Sequence, residues 1–381
     1  MNMVEYSEYR LGSLCNRFSS GKGIPADLIN ETGKYPVIGG NGLRGYTDTY
    51  NFDGECAVIG RQGAYCGNVQ FFSGKGYMTE HAVVTQPNSA NNAKYLTYKL
   101  NGLSLGRFSG QAAQPGLSVT KLARLRIEMP PKWYQDKVAG ILYAYDNLIE
   151  VNNKRIKVLE QMAENLYKEW FVRFRFPGHE TSGFENGIPK GWNVCRFSSI
   201  ANVLSGGTPS TDHDEYYGGN IPFYTPKDSS DDYFVFDTIS KLTEEGLQHC
   251  NSQLYPKNTI MITARGTVGN LNLLAKPMAM NQSCYALTSN TIPSQYFLFF
   301  LIKREILKLR KMASGGVFDT IIVSTFDHIK VTIPDKSLIM SFDMLVSPIL
   351  DETYTLLKQN RNLIRQRDLL LPRLMSGKLE V

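Results

Sequence analysis

The sequence predicts an α+β protein built twice over: two strand-rich globules in a pseudo-twofold arrangement, separated by two long antiparallel coiled-coil helices. Three observations predict it. A glycine-spaced stretch, "RQGAYCGNV" at 61–69, returns as "RGTVGNL" at 265–271. Flanking segments repeat with the same spacing. Two long stretches carry apolar residues at alternating intervals of four and three, the period of a coiled-coil seam.

The chain has 381 residues, enough for two domains, with 42% hydrophobic and 20% charged residues, an ordinary globular composition. Laid over the second half, "RLGSLCNRFSSGKG" (10–23) answers "RFSSIANVLSGGTP" (196–209), and "MTEHAVV" (78–84) answers "MNQSCYA" (280–286). The second pair has the offset of 202 that also aligns Gly67-Asn68 with Gly269-Asn270. "RIEMPPK" (126–132) answers "KVTIPDK" (330–336), and each precedes a helical pattern. The division is therefore 1–132 for the first globule, 133–176 for the first long helix, 177–190 for a polar linker, 191–336 for the second globule and 337–381 for the second helix. Short apolar runs broken by Gly, Asn, Asp and Pro read as strands and tight turns within the globules. The segment 294–312 reads as a helix among them.

In the first long helix the seam runs through Val138, Leu142, Tyr145, Ile149, Asn152, Ile156, Leu159, Ala163, Leu166 and Trp170. In the second it runs through Val346, Leu350, Thr353, Leu357, Asn360, Ile364, Arg367, Leu371 and Leu374, with Pro348 and Pro372 expected near the ends. Leu148, Leu356, Leu363 and Leu370 widen the stripe. One asparagine sits mid-seam in each helix. Antiparallel helices bring Asn152 and Asn360 together, where two buried amides would bond and fix the register.

Several function classes are disfavoured. The N-terminus lacks a basic segment followed by an apolar run, and no stretch reaches about eighteen uninterrupted apolar residues, so we expect a cytoplasmic protein without a membrane contact. Six cysteines (Cys15, Cys56, Cys66, Cys195, Cys250, Cys284) form no CxxC pair and read as buried thiols, and the five histidines are dispersed; we expect no metal and no cofactor. "GNGLRG" at 40–45 has dinucleotide-type glycine spacing but leads into "YTDTY" and not into an amphipathic helix. "NIPFY" at 220–224 departs from an adenine-methyltransferase loop at Ile221. No catalytic constellation emerges. The charge of +6 is mild, but residues 358–378 carry Lys358, Arg361, Arg365, Arg367, Arg373 and Lys378 against Asp368 alone, a basic face suited to a polyanion. About thirty-six residues of helix span roughly 54 Å, comparable to about one and a half turns of DNA.

The closing "LLLPRLMSGKLEV" (369–381), with "GIPKGWNVCRFSSI" (187–200), "LSGGTPS" (204–210) and "NQSCYAL" (281–287), resembles the DNA specificity subunit of type I restriction-modification systems. The resemblance covers essentially the whole chain. It implies two target recognition domains reading the halves of a split site on double-stranded DNA, antiparallel helices that hold a fixed spacing, two methyltransferase subunits docked on those helices, and restriction subunits joined through that core. It implies a non-catalytic subunit. The first half departs from the pattern, with "SSGKGIP" (19–25) in place of SGGTPS and "TEHAVV" in place of NQSCYA. An alternative is a specificity module of another restriction or anti-phage methyltransferase–nuclease complex.

DNA is read by Arg, Lys, Asn and Gln at base edges and by basic, hydroxyl and main-chain donors at phosphates. On Gly- and Pro-flanked loops these criteria select Thr208, Ser210, Lys227, Arg265, Thr267 and Gln282 in the second globule. In the first they select Ser20, Lys22, Arg44, Arg61, Gln62 and Tyr65. Asn68, Asn270 and Asn281 read as turn-closing residues. The duplication further predicts that the chain termini lie close together.

Overall fold

The computed structural model describes residues 4–63, 65–110, 116–312, 320–379 and 381, with side chains left aside at 310–312. Two compact units are present, one formed by 1–149 with 362–381 and the other by 150–361.

In the first unit, strand β1 (Ser7–Arg10) is followed by β2 (Cys15–Ser20), β3 (Tyr35–Gly39), β4 (Gly42–Thr47), β5 (Phe52–Gly60), β6 (Val69–Met78), β7 (Ala82–Pro87), helix α1 (Ala93–Gly102), α2 (Val119–Ala123) and β8 (Arg126–Met129). Helix α3 (Lys132–Phe171) then begins directly after Pro130 and Pro131, where a missing N–H costs nothing. The main sheet has the order β2-β7-β5-β6-β3-β4, and β1 pairs β8 separately. Apolar side chains of β5 and β7 (Ala57, Ile59, Val83) pack on α1 through Tyr95, Leu96 and Leu100, and the cluster continues to Val138 and Leu142 of α3. Gln135 joins these layers: buried, it donates to the Pro130 carbonyl at 2.8 Å and accepts from the Asn92 N–H, the cap of α1, at 2.9 Å.

The second unit opens with a hairpin of β9 (Phe184–Glu185) and β10 (Ile188–Pro189), then β11 (Asn193–Arg196), β12 (Ala201–Ser205), β13 (Tyr217–Tyr224), β14 (Phe234–Val235), β15 (Ser240–Leu242) and α4 (Glu244–Gln248). It continues with β16 (Ile260–Thr263), β17 (Leu271–Leu274), β18 (Ala279–Met280), β19 (Cys284–Ser289), α5 (Gln295–Met312), α6 (Val323–His328), β20 (Lys330–Ile333) and α7 (Lys336–Met375). Its sheets have the orders β12-β19-β16-β17-β14 and β15-β13-β18. An aromatic core of Tyr167, Phe171, Phe297, Phe300 and Phe342 packs α3, α5 and α7 together.

The duplication is visible in the pairings. β1 with β8 matches β11 with β20, β2 with β7 matches β12 with β19, and the parallel pair β3 and β6 matches β13 and β18. Residues 177–190, read as a plain linker, contain the β9–β10 hairpin, and the neighbouring Phe176 and Trp192 are buried with ring centroids 5.3 Å apart.

Each unit holds an antiparallel length of the two long helices. In the first, Arg367 reaches Asp146 at 2.6 Å, and the Tyr134 hydroxyl donates to the Leu374 carbonyl at 2.9 Å. In the second, Arg155 meets Glu352 at 2.6 Å, and the buried Asn152 amide donates to Asn360 at 2.9 Å and to Gln359 at 3.0 Å. Asn360 in turn donates to Asn153 at 2.8 Å. The seam residues of α3 are all buried or half-buried, but α7 departs from expectation at Ile364, which is 40% exposed while Leu363 turns inward. Leu148 likewise faces solvent. Pro348 lies well inside α7, which continues through it with Val346 and Leu350 fully buried on either side.

The expected basic face of α7 is partly consumed by packing, since Arg367 is held between Asp146 and Asp368 and Arg361 covers the Phe236 ring at 5.5 Å. Of the six free cysteines only Cys56 and Cys284 are fully buried; the rest are half-buried. The termini meet within the first unit, where the Tyr6 hydroxyl donates to the Met375 carbonyl at 3.2 Å.

One buried charge cluster stands out in the second unit. Glu160 of α3 accepts from the Tyr233 N–H at 3.3 Å, while Glu164 takes the Tyr233 hydroxyl at 2.8 Å and Lys303 at 2.5 Å. Burial pushes the Glu160 carboxyl up to about 7. Burial also acts on Glu164, but its hydrogen bond and charge contact with Lys303 leave it below the usual range.

Candidate nucleic-acid interface

The repeated glycine stretch is one turn built twice. In the first unit Gly60 N–H bonds the Asn68 carbonyl, Gly67 N–H the Gly60 carbonyl and Asn68 N–H the Tyr65 carbonyl. In the second, Thr263 N–H bonds Asn270, Gly269 bonds Thr263, and Asn270 bonds Thr267. Gly67 and Gly269 hold φ of +90° and +79°, which residues with a side chain adopt only with strain. A second repeated contact explains the earlier glycines. A Cβ on Gly21 would lie 2.1 Å from the Met78 carbonyl oxygen, and one on Gly206 would lie 2.4 Å from that of Met280. The glycines are thus structural, and chemistry is left to the side chains between them.

In the first unit four loops converge, at 20–23, 39–44, 60–63 with 65–67, and 79–81. Gly40, in the two-residue turn of the β3–β4 hairpin, rests against Gly60, Arg61 and the His81 carbonyl, so "GNGLRG" is a hairpin and no phosphate cradle. Arg44 lies exposed on β4 with its stem across Gly39. Lys22, Gln62 and Tyr65 are exposed as well. Arg61 is turned inward: its Nε donates to the Leu117 carbonyl at 3.2 Å and its Nη1 to Ser20 Oγ at 3.4 Å. Arg61 and Ser20 therefore brace the loop cluster.

In the second unit the corresponding loops hold Thr208, whose hydroxyl donates to Gln282 Oε1, and Ser210, which turns onto Asp212 at 3.4 Å. Lys227 sits exposed on the turn Pro226–Asp228, which a capping box through Thr225 and Asp228 stabilises. Pro226 lies beside Gly266, so Lys227 and Arg265 belong to adjoining loops. Arg265 and Thr267 are exposed, and the Thr267 carbonyl accepts the Thr263 hydroxyl. Asn281 closes its own turn by accepting the Ser283 N–H at 3.0 Å.

Sequence reasoning passed over Thr79, Glu80 and His81, although the offset of 202 aligns Glu80 with Gln282. Their turn sits at the centre of the first cluster: Thr79 N–H bonds the Ile38 carbonyl as Asn281 N–H bonds that of Tyr224, and Arg61 N–H bonds His81 as Ala264 N–H bonds Ser283. The pairing of Arg61 with Ala264 also shows that the two sequence-selected arginines, Arg61 and Arg265, occupy different places in the repeated turn. Burial pushes the thiols of Cys15, Cys56 and Cys284 up to about 12 and also raises that of Cys66 in the first turn, so these thiols are poor nucleophiles. No helix among the described residues is long and apolar enough to cross a membrane.

Comparison with known proteins places this geometry. The profile of the type I restriction modification DNA specificity domain matches residues 3–161 and again 189–359. The chain is 26% identical over 327 residues to the type I restriction enzyme HindI specificity subunit of Haemophilus influenzae, covering 70% of this chain and 71% of that one. It is 37% identical over 166 residues to the EcoprrI specificity subunit of Escherichia coli, covering 42% of this chain and 41% of the relative. In fold it is similar to the crystal structure of the type I restriction-modification S subunit from M. genitalium, with a TM-score of 0.71 at 17% identity over 98% of this chain and 97% of that one. With both halves matched and the same turn built in each, the chain belongs to the type I restriction modification DNA specificity family and carries its domain twice.

Proposed function

We propose that this chain is the DNA specificity subunit of a type I restriction-modification complex. It contributes no chemistry of its own, reads one half of a gapped DNA site with each recognition domain, and works in the cytoplasm with two methyltransferase subunits and with restriction subunits. The observation that carries this reading is the turn repeated bond for bond in two domains, each surrounded by exposed Lys, Arg and Gln side chains on converging loops. A single basic patch would serve nonspecific binding; two similar scaffolds with different loop residues suit two different half-sites. The long helices, forty residues each, set the gap between the halves.

Among the candidates, Lys22, Arg44, Gln62 and Tyr65 serve the first half-site and Lys227, Arg265, Thr267 and Gln282 the second. Thr208 orients Gln282, Ser210 shapes its own loop, and Arg61 with Ser20 holds the first cluster together. The test is a genome-wide map of methylated positions in cells with and without this chain. The expected result is a two-part gapped motif that disappears with the gene. Methylation of an ungapped motif, or of one independent of the chain, would refute the reading.

A further inference from the structure

The turn Thr79–Glu80–His81 between β6 and β7 leaves three polar atoms buried and without a hydrogen-bond partner among the described residues: Thr79 Oγ1, Glu80 Oε2 and His81 Nδ1. A buried polar atom left unpaired is destabilising, and three in consecutive residues call for a ligand or a function. The equivalent turn of the second unit has no such debt, because Asn281 accepts Ser283 N–H and Gln282 accepts the Thr208 hydroxyl.

Charge narrows the choice. Glu80 stands among donors, with Lys22, Arg44 and Gln62 on the converging loops, on a surface read here as facing a polyanion. A carboxylate there is repelled by phosphates and is useful only to a hydrogen-bond donor on the DNA. In the major groove the donors are the exocyclic amines, N4 of cytosine and N6 of adenine. The carboxylate is reachable: the side chain is 46% exposed, with Oε1 held 3.1 Å from His81 Nε2. Oε2 lies under Gly23, where even an added Cβ would come no nearer than 3.8 Å. Exchanging the two oxygens takes a half-turn about the terminal torsion and leaves the same geometry, so the exposed Oε1 is the oxygen a base can reach.

We propose that Glu80 is a specificity-determining residue of the first recognition domain, accepting a hydrogen bond from the exocyclic amine of a cytosine or adenine in its half-site. The proposal rests on the DNA-reading function above and assigns one position within it.

The test uses the full complex reconstituted with its methyltransferase subunits and maps the methylated motif for the native chain, Glu80→Gln and Glu80→Ala. Both variants are expected to lose preference by roughly tenfold at one position of one half-site, leaving the other half-site unchanged. Retention of the other positions of the same half-site is the control for folding of the first domain. Duplexes carrying purine in place of adenine, or 2-pyrimidinone in place of cytosine, identify the amine. The substitution that weakens the native complex but not Glu80→Gln names it. Unchanged preferences at every position, or loosening of both half-sites together, would overturn the assignment. A native complex with no gapped motif would instead remove the DNA-reading function beneath it, and the assignment with it.

Discussion

The two recognition domains share a pairing scheme and differ in how one strand runs through it. In the first, β6 is a single strand of ten residues that pairs β5 along its length and β3 at its end. In the second the same path is broken into β17 and β18, and the two-residue hairpin turn after β3 is replaced by the stretch between β13 and β15. That stretch supplies β14, which pairs with β17, and the turn bearing Lys227. It also brings Tyr233 onto Glu160 and Glu164 of α3. Pairing and glycine turns are thus kept where backbone packs on backbone. Loops vary where side chains face outward.

The comparison breaks most readily at the glycines. Gly206→Val forces a Cβ against the Met280 and Asn281 carbonyls, 2.4 Å from each oxygen. It should destabilise the second unit by about 3 kcal/mol or more, read by thermal unfolding and by hydrogen exchange confined to that unit. Gly21→Val should do the same to the first. If either is tolerated, the shared close approach is not what demands glycine.

Next is the asparagine pair. Asn152→Leu removes the donor to the Asn360 side-chain oxygen in the seam and should cost about 1–3 kcal/mol. The double variant with Asn360→Leu should recover part of that loss, giving a nonzero coupling energy in a double-mutant cycle. Strict additivity would deny the pair any role in register.

The arginines sharpen the contrast. Arg265→Ala should relax one half-site by about 1–3 kcal/mol without changing thermal stability. Arg61→Ala should instead lower the stability of the first unit by about 1 kcal/mol through its lost hydrogen bonds, with the base preferences retained. Melting curves and methylation motifs of the same two variants separate these outcomes.

The smallest effect concerns pH. Because Glu160 is raised by burial to about 7 in the folded chain, the native state keeps a proton that the unfolded chain releases near its ordinary value of 4.5. Stability is therefore full below about 4.5 and falls as the pH rises through 7. Glu160→Gln should flatten that slope and raise the melting temperature above pH 7.

Much of this was legible beforehand because it is periodic or repeated. Heptad spacing placed the helices and their asparagines, and the double glycine turn located both loop clusters. Where reasoning failed, a nonlocal contact decided. Arg61 and Arg265 look alike in sequence, but one backbone carbonyl, that of Leu117, and Ser20 turn the first inward. Ile364 sits at a correct heptad position yet is exposed, while its neighbour Leu363 is half-buried. Glu80 was passed over because a carboxylate does not advertise DNA contact, and its unpaired oxygen exists only in three dimensions.

By itself, then, the sequence determined the duplication, the two heptad helices and the residues whose backbone needs glycine, because steric limits and helical periodicity act on neighbours along the chain. Only the tertiary structure decided which loop side chains brace the fold and which stand exposed, since that direction depends on partners dozens of residues away.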